Sequence, residues 1–242
     1  TVNRPSMLEL SQSIWVDPVS GGQSIGNPRL VEANISHFDG RLEWYGEGAN
    51  TVSLAYFSKD FKNPIERTLK ISSGAGELVT YKNAQSATNS GVEMDFRYDL
   101  EFLNIGDFSY GISGNYSVIE SNVILPIGHT EYSDTRTMQG QSPYTMNAMF
   151  TVDHAGLGLE TAFVLNEIGE RITRVGQGDV PHVYEQPFTA LDFTLSKEIG
   201  EGKVSLKMKN LLSNERLFTQ GGEVYQKTDP GMSFSFSYGQ SF

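Results

Sequence analysis

Met232-Ser-Phe-Ser-Phe-Ser-Tyr-Gly-Gln-Ser-Phe242 is the stretch that decides the fold. Successive side chains of an extended strand point to opposite faces. Met232, Phe234, Phe236, Tyr238 and Phe242 therefore share one face, and Ser233, Ser235, Ser237, Gly239 and Ser241 the other. A soluble sheet hides an aromatic face under a second layer. A strand that is aromatic on one side and small and polar on the other suits lipid outside and water inside. It reads as the closing strand of an outer-membrane β-barrel.

The same alternation recurs upstream. Val92, Met94, Phe96, Tyr98, Leu100 and Phe102 alternate with Glu93, Asp95, Arg97, Asp99 and Glu101. Phe108, Tyr110, Ile112, Tyr116 and Val118 form the next apolar row, followed by Tyr144, Met146, Ala148, Phe150 and Val152. Leu157, Leu159, Phe163 and Leu165 come next, then Leu191, Phe193 and Leu195 opposite Asp192, and Val204, Leu206 and Met208 opposite Lys203, Lys207 and Lys209. Two earlier strands are expected near 33–46 and 50–60, with a bulge or a strand end near His37 because Ile35 is out of phase with Phe38, Leu42 and Trp44. A partial strand is expected before Asp17, for about ten strands in all, tilted across the bilayer.

Row charge discriminates between barrel types. A dry core does not hold Glu93, Asp95, Arg97, Asp99 and Glu101, since each unpaired buried charge costs several kcal/mol. A wet lumen does, and so does the solvent face of a one-sided soluble sheet. The soluble reading needs a cover for every apolar row, and the chain offers no amphipathic helix to supply it. Connection lengths also alternate. Short turns fall at Gly46–Asn50, Leu103–Asp107, Asp153–Gly156 and Ile199–Gly202, and long segments at about 61–90, 119–141, 167–187 and 213–230. Short periplasmic turns and long extracellular loops give this rhythm.

Composition agrees. Hydrophobic residues make up 38% of 242 and no apolar run is long enough for a transmembrane helix, and mean hydropathy is -0.32. Barrels escape that test because only alternate residues meet lipid. The absence of cysteine removes disulfides and thiolate chemistry, and a charge of -11 argues against nucleic acid. The chain opens Thr1-Val-Asn-Arg-Pro without a secretory leader, so an outer-membrane origin implies a processed chain or a piece of a longer one.

Several stretches occur in the order found in one family. They are Asn3-Arg4-Pro5 with Glu9-Leu10, Gly26-Asn27-Pro28-Arg29-Leu30, Leu42-Glu43-Trp44-Tyr45 and Tyr56-Phe57-Ser58-Lys59-Asp60-Phe61-Lys62-Asn63-Pro64-Ile65-Glu66. Asn83-Ala84, Gly91-Val92-Glu93, Gly140-Gln141-Ser142-Pro143-Tyr144, Lys209-Asn210-Leu211-Leu212 and terminal Phe242 complete the series. On these the chain resembles the C-terminal part of TonB-dependent outer-membrane receptors. The resemblance implies that residues 1–242 supply about ten of the ~22 strands of an antiparallel up-and-down transmembrane β-barrel. It further implies an N-terminal plug and a TonB contact outside this chain, in the outer membrane of a Gram-negative bacterium. The expected ligand is a scarce siderophore, cobalamin or oligosaccharide.

Candidate residues follow from this arrangement. Tyr132, Arg136, Arg171, Arg174, His182 and Tyr184 lie in long connections where they would grip a ligand, although most loop residues are only solvated. Glu93, Asp95, Arg97, Asp99, Glu101, Asp192, Lys203, Lys207 and Lys209 would face the lumen, either against a plug or a ligand path or as hydrated wall. Trp44, Tyr45, Phe102 and Phe108 would form a periplasmic aromatic girdle. Phe234, Phe236, Tyr238 and Phe242 resemble the terminal signal read by barrel-assembly machinery, and equally a lipid-facing last strand.

Enzymatic and metal chemistry find little support. His37, His129, His154 and His182 lack ligand spacing, Asp153-His154 sits in a turn, and no Gly-x-Ser-x-Gly elbow occurs. No cofactor, metal or catalytic residue is expected. The remaining alternatives are a passive porin and a soluble β-sandwich or calycin-like binding module.

Overall fold

The computed structural model describes residues 1–16, 22–72, 76–125, 129, 131–133 and 135–240. One antiparallel sheet of ten strands dominates it, and neighbours in the sheet follow chain order. The strands are Val2–Asn3, Ala33–Tyr45, Thr51–Lys62, Ser86–Asp99, Phe108–Ile124, Tyr144–His154, Leu159–Ile168, Phe188–Ile199, Gly202–Lys209 and Ser233–Gln240. This is a partial barrel wall with an edge at either end. The described α-helix, Met7–Leu10, is one turn long and closed by a Ser6–Glu9 capping box.

The sheet forms because its registers line up residues of like character. Leu42 lies opposite Leu54, then Met94, Tyr116 and Met146 on one face. On the other, Glu43 lies opposite Ser53, then Asp95, Asn115, Asn147 and Asn166. Such cross-strand pairs contribute roughly 0.2–1 kcal/mol each. The Phe163 and Phe193 rings meet at 4.9 Å between centroids. Their lane continues to Met208 and Phe234, while the next lane runs from Leu195 to Leu206 and Phe236, and Val204 pairs with Tyr238.

The apolar face has a limited height. From Val92 to Tyr98 it runs about 20 Å at ~3.4 Å per residue, close to the apolar band of about 25 Å that crosses an outer membrane. Beyond Val92 the same face turns polar at Ser90 and Thr88, and beyond Val118 at Glu120 and Asn122. The strands therefore outrun the band at the end that carries the long connections. At the other end, turns are tight: 3-10 helices Glu101–Leu103 and Ala155–Leu157 close two of them. Gly158 ends the second in the left-handed region at φ 57°, where a Cβ is disfavoured.

Sequence expectation and structure differ at several places. Neither a bulge nor a strand end interrupts Ala33–Tyr45 near His37, because its register with Thr51–Lys62 runs unbroken from Asn34 to Tyr45. Ile35 instead pairs with Phe61, and Phe61 packs on an apolar cluster of Ala84, Ala87 and Val123. Its face is apolar at that height, so no phase change is needed. Glu101 lies in a 3-10 turn beyond the Ser86–Asp99 strand, as does Phe102. Tyr45 turns to the polar face, where its hydroxyl donates to Glu43 Oε2 at 2.6 Å. The partial wall strand is Val2–Asn3, whereas Ile14–Val16 joins a separate sheet.

The long connections are themselves folded. One four-stranded sheet runs Ile14–Val16, Gln23–Ile25, Gly76–Asn83, Ile65–Ser72, and a second runs Arg171–Arg174, Val183–Glu185, Arg216–Gln220, Glu223–Thr228. Leu69 and Thr68 from the first join Ile172, Val175, His182 and Val183 among the most deeply buried side chains. Most of the deepest burial therefore lies among the connections, with Val123, Ala87 and Ala33 of the wall buried at the same end.

Candidate functional site at the long-connection end

Three connections are joined by backbone. Leu69 N–H donates to Val175 O at 2.8 Å, and Gly140 N–H donates to Ile172 O at 2.8 Å. The segment 136–141 lies along the polar face of the wall as a strap. Val123 N–H donates to Arg136 O at 3.0 Å, Met138 N–H to Ser121 Oγ at 2.9 Å, and Asn89 Nδ2 to Gln141 Oε1 at 3.2 Å. Gln139 links the strap outward, accepting from Arg67 N–H at 2.6 Å and donating to Thr173 O.

Arg136 is the centre of this joint. Its side chain is 1% exposed and Glu66 is 3% exposed. Nη1 and Nη2 donate to the two Glu66 carboxylate oxygens at 2.9 and 2.6 Å, and Nε donates to Glu131 Oε2 at 2.6 Å. Burial alone would lower the Arg136 pKa, but the two carboxylates more than offset it and hold the guanidinium above its ordinary value. Arg136 is thus spent on the fold, which departs from the expectation that it grips a ligand. A buried bidentate pair costs desolvation and fixes geometry in return.

His182 is also inside, at 2% exposure. Gly176 N–H donates to its Nδ1 at 2.9 Å, so the neutral ring carries its proton on Nε2, 2.8 Å from Ser133 Oγ. A Ser–His pair with that tautomer has no base to offer the hydroxyl, so it is no hydrolytic dyad. Burial and the Arg136 charge lower the imidazole pKa, against the opposing pull of Glu131 and Glu66.

The other four expected ligand residues surround this joint. Tyr132 meets His182 edge-on at 5.6 Å and remains 49% exposed. Tyr184, two residues further along the same segment, meets the ring at 6.1 Å, and burial raises its phenol pKa. Arg171 pairs with Glu185 at 2.7 Å while 30% of its side chain stays exposed. Arg174 lies over the Tyr225 ring and donates to its hydroxyl. Periodicity alone did not single out Glu66, Glu131, Gln139 or Glu185. Glu66, Gln139 and Glu185 bond residues at least 14 positions away, and Glu131 joins them only through Arg136, which leaves no periodic signal.

Registers put the expected lumen residues Glu93, Asp95, Arg97, Asp99, Asp192, Lys203, Lys207 and Lys209 on the one polar face, with Glu101 outside the strand. Arg41 bonds Asp95 at 3.1 Å and Lys203 bonds Glu160 at 2.6 Å. Toward the short turns this face holds a hollow of about 550 Å³ lined by Asp153, Glu160, Thr194, Ser196 and Glu198. Of the expected terminal signal, Phe242 lies outside the described residues, and Phe234, Phe236 and Tyr238 stand on the apolar face.

Solved structures share this fold. The outer membrane transporter YddB from Escherichia coli superposes with a TM-score of 0.59 at 13% identity, over 93% of this chain and 35% of its own. A variant ferric enterobactin receptor from Pseudomonas aeruginosa in complex with enterobactin gives 0.62 at 16%, over 100% and 37%. The siderophore receptor PirA from Acinetobacter baumannii gives 0.58 at 14%, over 91% and 33%. The chain spans about a third of the length of these transporters, and at such identities the likeness is one of fold. No curated protein sequence matches the chain. The sequence profile described as TonB dependent receptor-like, beta-barrel matches residues 1–211. With its lipid-suited apolar face, its polar face and its short-long connections, the chain belongs to the TonB-dependent receptor β-barrel family.

Proposed function

We propose that this chain forms wall and extracellular loops of an outer-membrane receptor that takes up a scarce ligand by TonB-dependent active transport. The observation that carries the reading is the joining of long connections into one packed body beside a charged polar face. A passive pore needs an open mouth, whereas a receptor needs a shaped surface there. The ligand is a siderophore, cobalamin or an oligosaccharide, met by Tyr132, Arg171, Arg174 and Tyr184 around the buried joint. A plug ahead of this chain would rest on the polar face, and assembly machinery would read the last strand.

The test is uptake by cells that express the complete protein. A panel of radiolabelled ferric siderophores, cobalamin and oligosaccharides is offered with and without a protonophore. Uptake of one compound that the protonophore abolishes supports the reading. Uptake of many small solutes that ignores the protonophore indicates a passive porin instead.

A further inference from the structure

The joint around His182 has a property that uptake does not require. We infer that it is an acid-sensitive lock, which holds the long connections together when His182 is neutral and releases them when the ring is protonated. The groups that face it come from four elements. Glu131, Tyr132, Ser133 and Arg136 belong to the 125–143 connection, Glu66 to Ile65–Ser72, Gly176 to the segment after Arg171–Arg174, and Tyr184 to Val183–Glu185.

Hydrogen-bond direction makes the lock selective for the neutral ring. A backbone N–H only donates, so the Gly176 bond requires an unprotonated Nδ1. Adding a proton there sets two donors against each other. Ser133 occupies Nε2, so both ring nitrogens are engaged and neither carboxylate bonds the ring. Glu66 and Glu131 are bound to Arg136, whose own positive charge opposes a second one nearby.

The segment closed by this bond leaves little room to adjust. A Cβ on Gly176 would lie 2.0 Å from Val180 O and 2.5 Å from Pro181 O. Its backbone also reaches across, since Tyr132 N–H donates to Gly176 O at 3.2 Å and Val175 N–H to Arg67 O at 3.2 Å. Losing the Gly176 bond therefore loosens the contact between 131–136 and 174–182. In the released state the imidazole meets water and takes a proton at its ordinary value near pH ~6.5. The closed state holds that pKa lower, so closure is fully favoured above about pH 6.5 and weakens as pH falls toward the lowered value.

Amide hydrogen exchange on the complete receptor in detergent micelles tests the lock at about pH 7.5 and about pH 5, with rates corrected for intrinsic chemistry. Exchange across 131–136 and 174–182 is expected to rise about tenfold in acid and to recover on neutralisation. His182→Asn offers Gly176 an acceptor that does not titrate, and is expected to remove the acid rise. Unchanged protection in acid overturns the inference. So does an acid rise that persists in His182→Asn, which would place the sensor at Glu66 or Glu131. If that variant fails to assemble, ¹⁵N shifts of His182 in the native protein decide. Protonation that coincides with loss of Gly176 protection supports the lock, and protonation with protection retained overturns it.

Discussion

The guanidinium of Arg136 bonds both carboxylate oxygens of Glu66, seventy residues earlier in the chain, at 2.9 and 2.6 Å. Because both partners are buried, neither is replaced by water without cost. Arg136→Ala leaves two carboxylates without their cation and is expected to destabilise the joined connections by about 3–5 kcal/mol. Protease sensitivity at 131–136 in otherwise intact barrels measures it. Unchanged resistance would show that the pair is dispensable.

On the last strand the two faces are expected to differ sharply. Phe236 pairs with Leu206 on the apolar face, and Ser237 pairs with Ser205 on the polar one. Phe236→Arg near the bilayer midplane should cost roughly 2–4 kcal/mol, while Ser237→Lys should be tolerated. Urea titrations of the complete protein folded into lipid vesicles compare them. Equal tolerance at both positions would count against membrane contact for this strand.

Gly91 faces the ring of Phe57, and a Cβ there would lie 2.4 Å from Val118 O and 2.8 Å from Phe57 Cζ. The first of these is backbone, so rotation of a side chain does not relieve it. Gly91→Val should lower stability by about 1–3 kcal/mol through overpacking. A lower midpoint in the same titrations is the expected result, and a wild-type midpoint would refute the close approach.

Wall ion pairs should be weak by comparison. Arg41 and Asp95 are 3.1 Å apart with 49% and 42% of their side chains exposed. A double-mutant cycle with Arg41→Ala and Asp95→Ala should return a coupling below about 1 kcal/mol. A coupling of several kcal/mol would mean that this part of the polar face is dry in the complete protein.

The sequence by itself determines whatever repeats locally. The alternation Val92, Met94, Phe96, Tyr98 against Glu93, Asp95, Arg97, Asp99 specifies a strand and both its faces, since a one-residue slip would reverse them. The Gly46–Asn50 and Ile199–Gly202 turns fix which strands are neighbours, and so the order of the wall. Beyond the membrane band, that logic fails. Ile35 is out of phase with Phe38 because the polar face becomes apolar where Phe61 and Val123 meet the connections. The pairing of Glu66 with Arg136, and of Gly176 with His182, has no periodic signature. The first depends on segments seventy residues apart being brought together above the wall, and the second on a six-residue turn closing on itself. Lipid and water imposed a pattern on the strands residue by residue, whereas the joint above them is held by partners that only the folded chain brings within bonding distance.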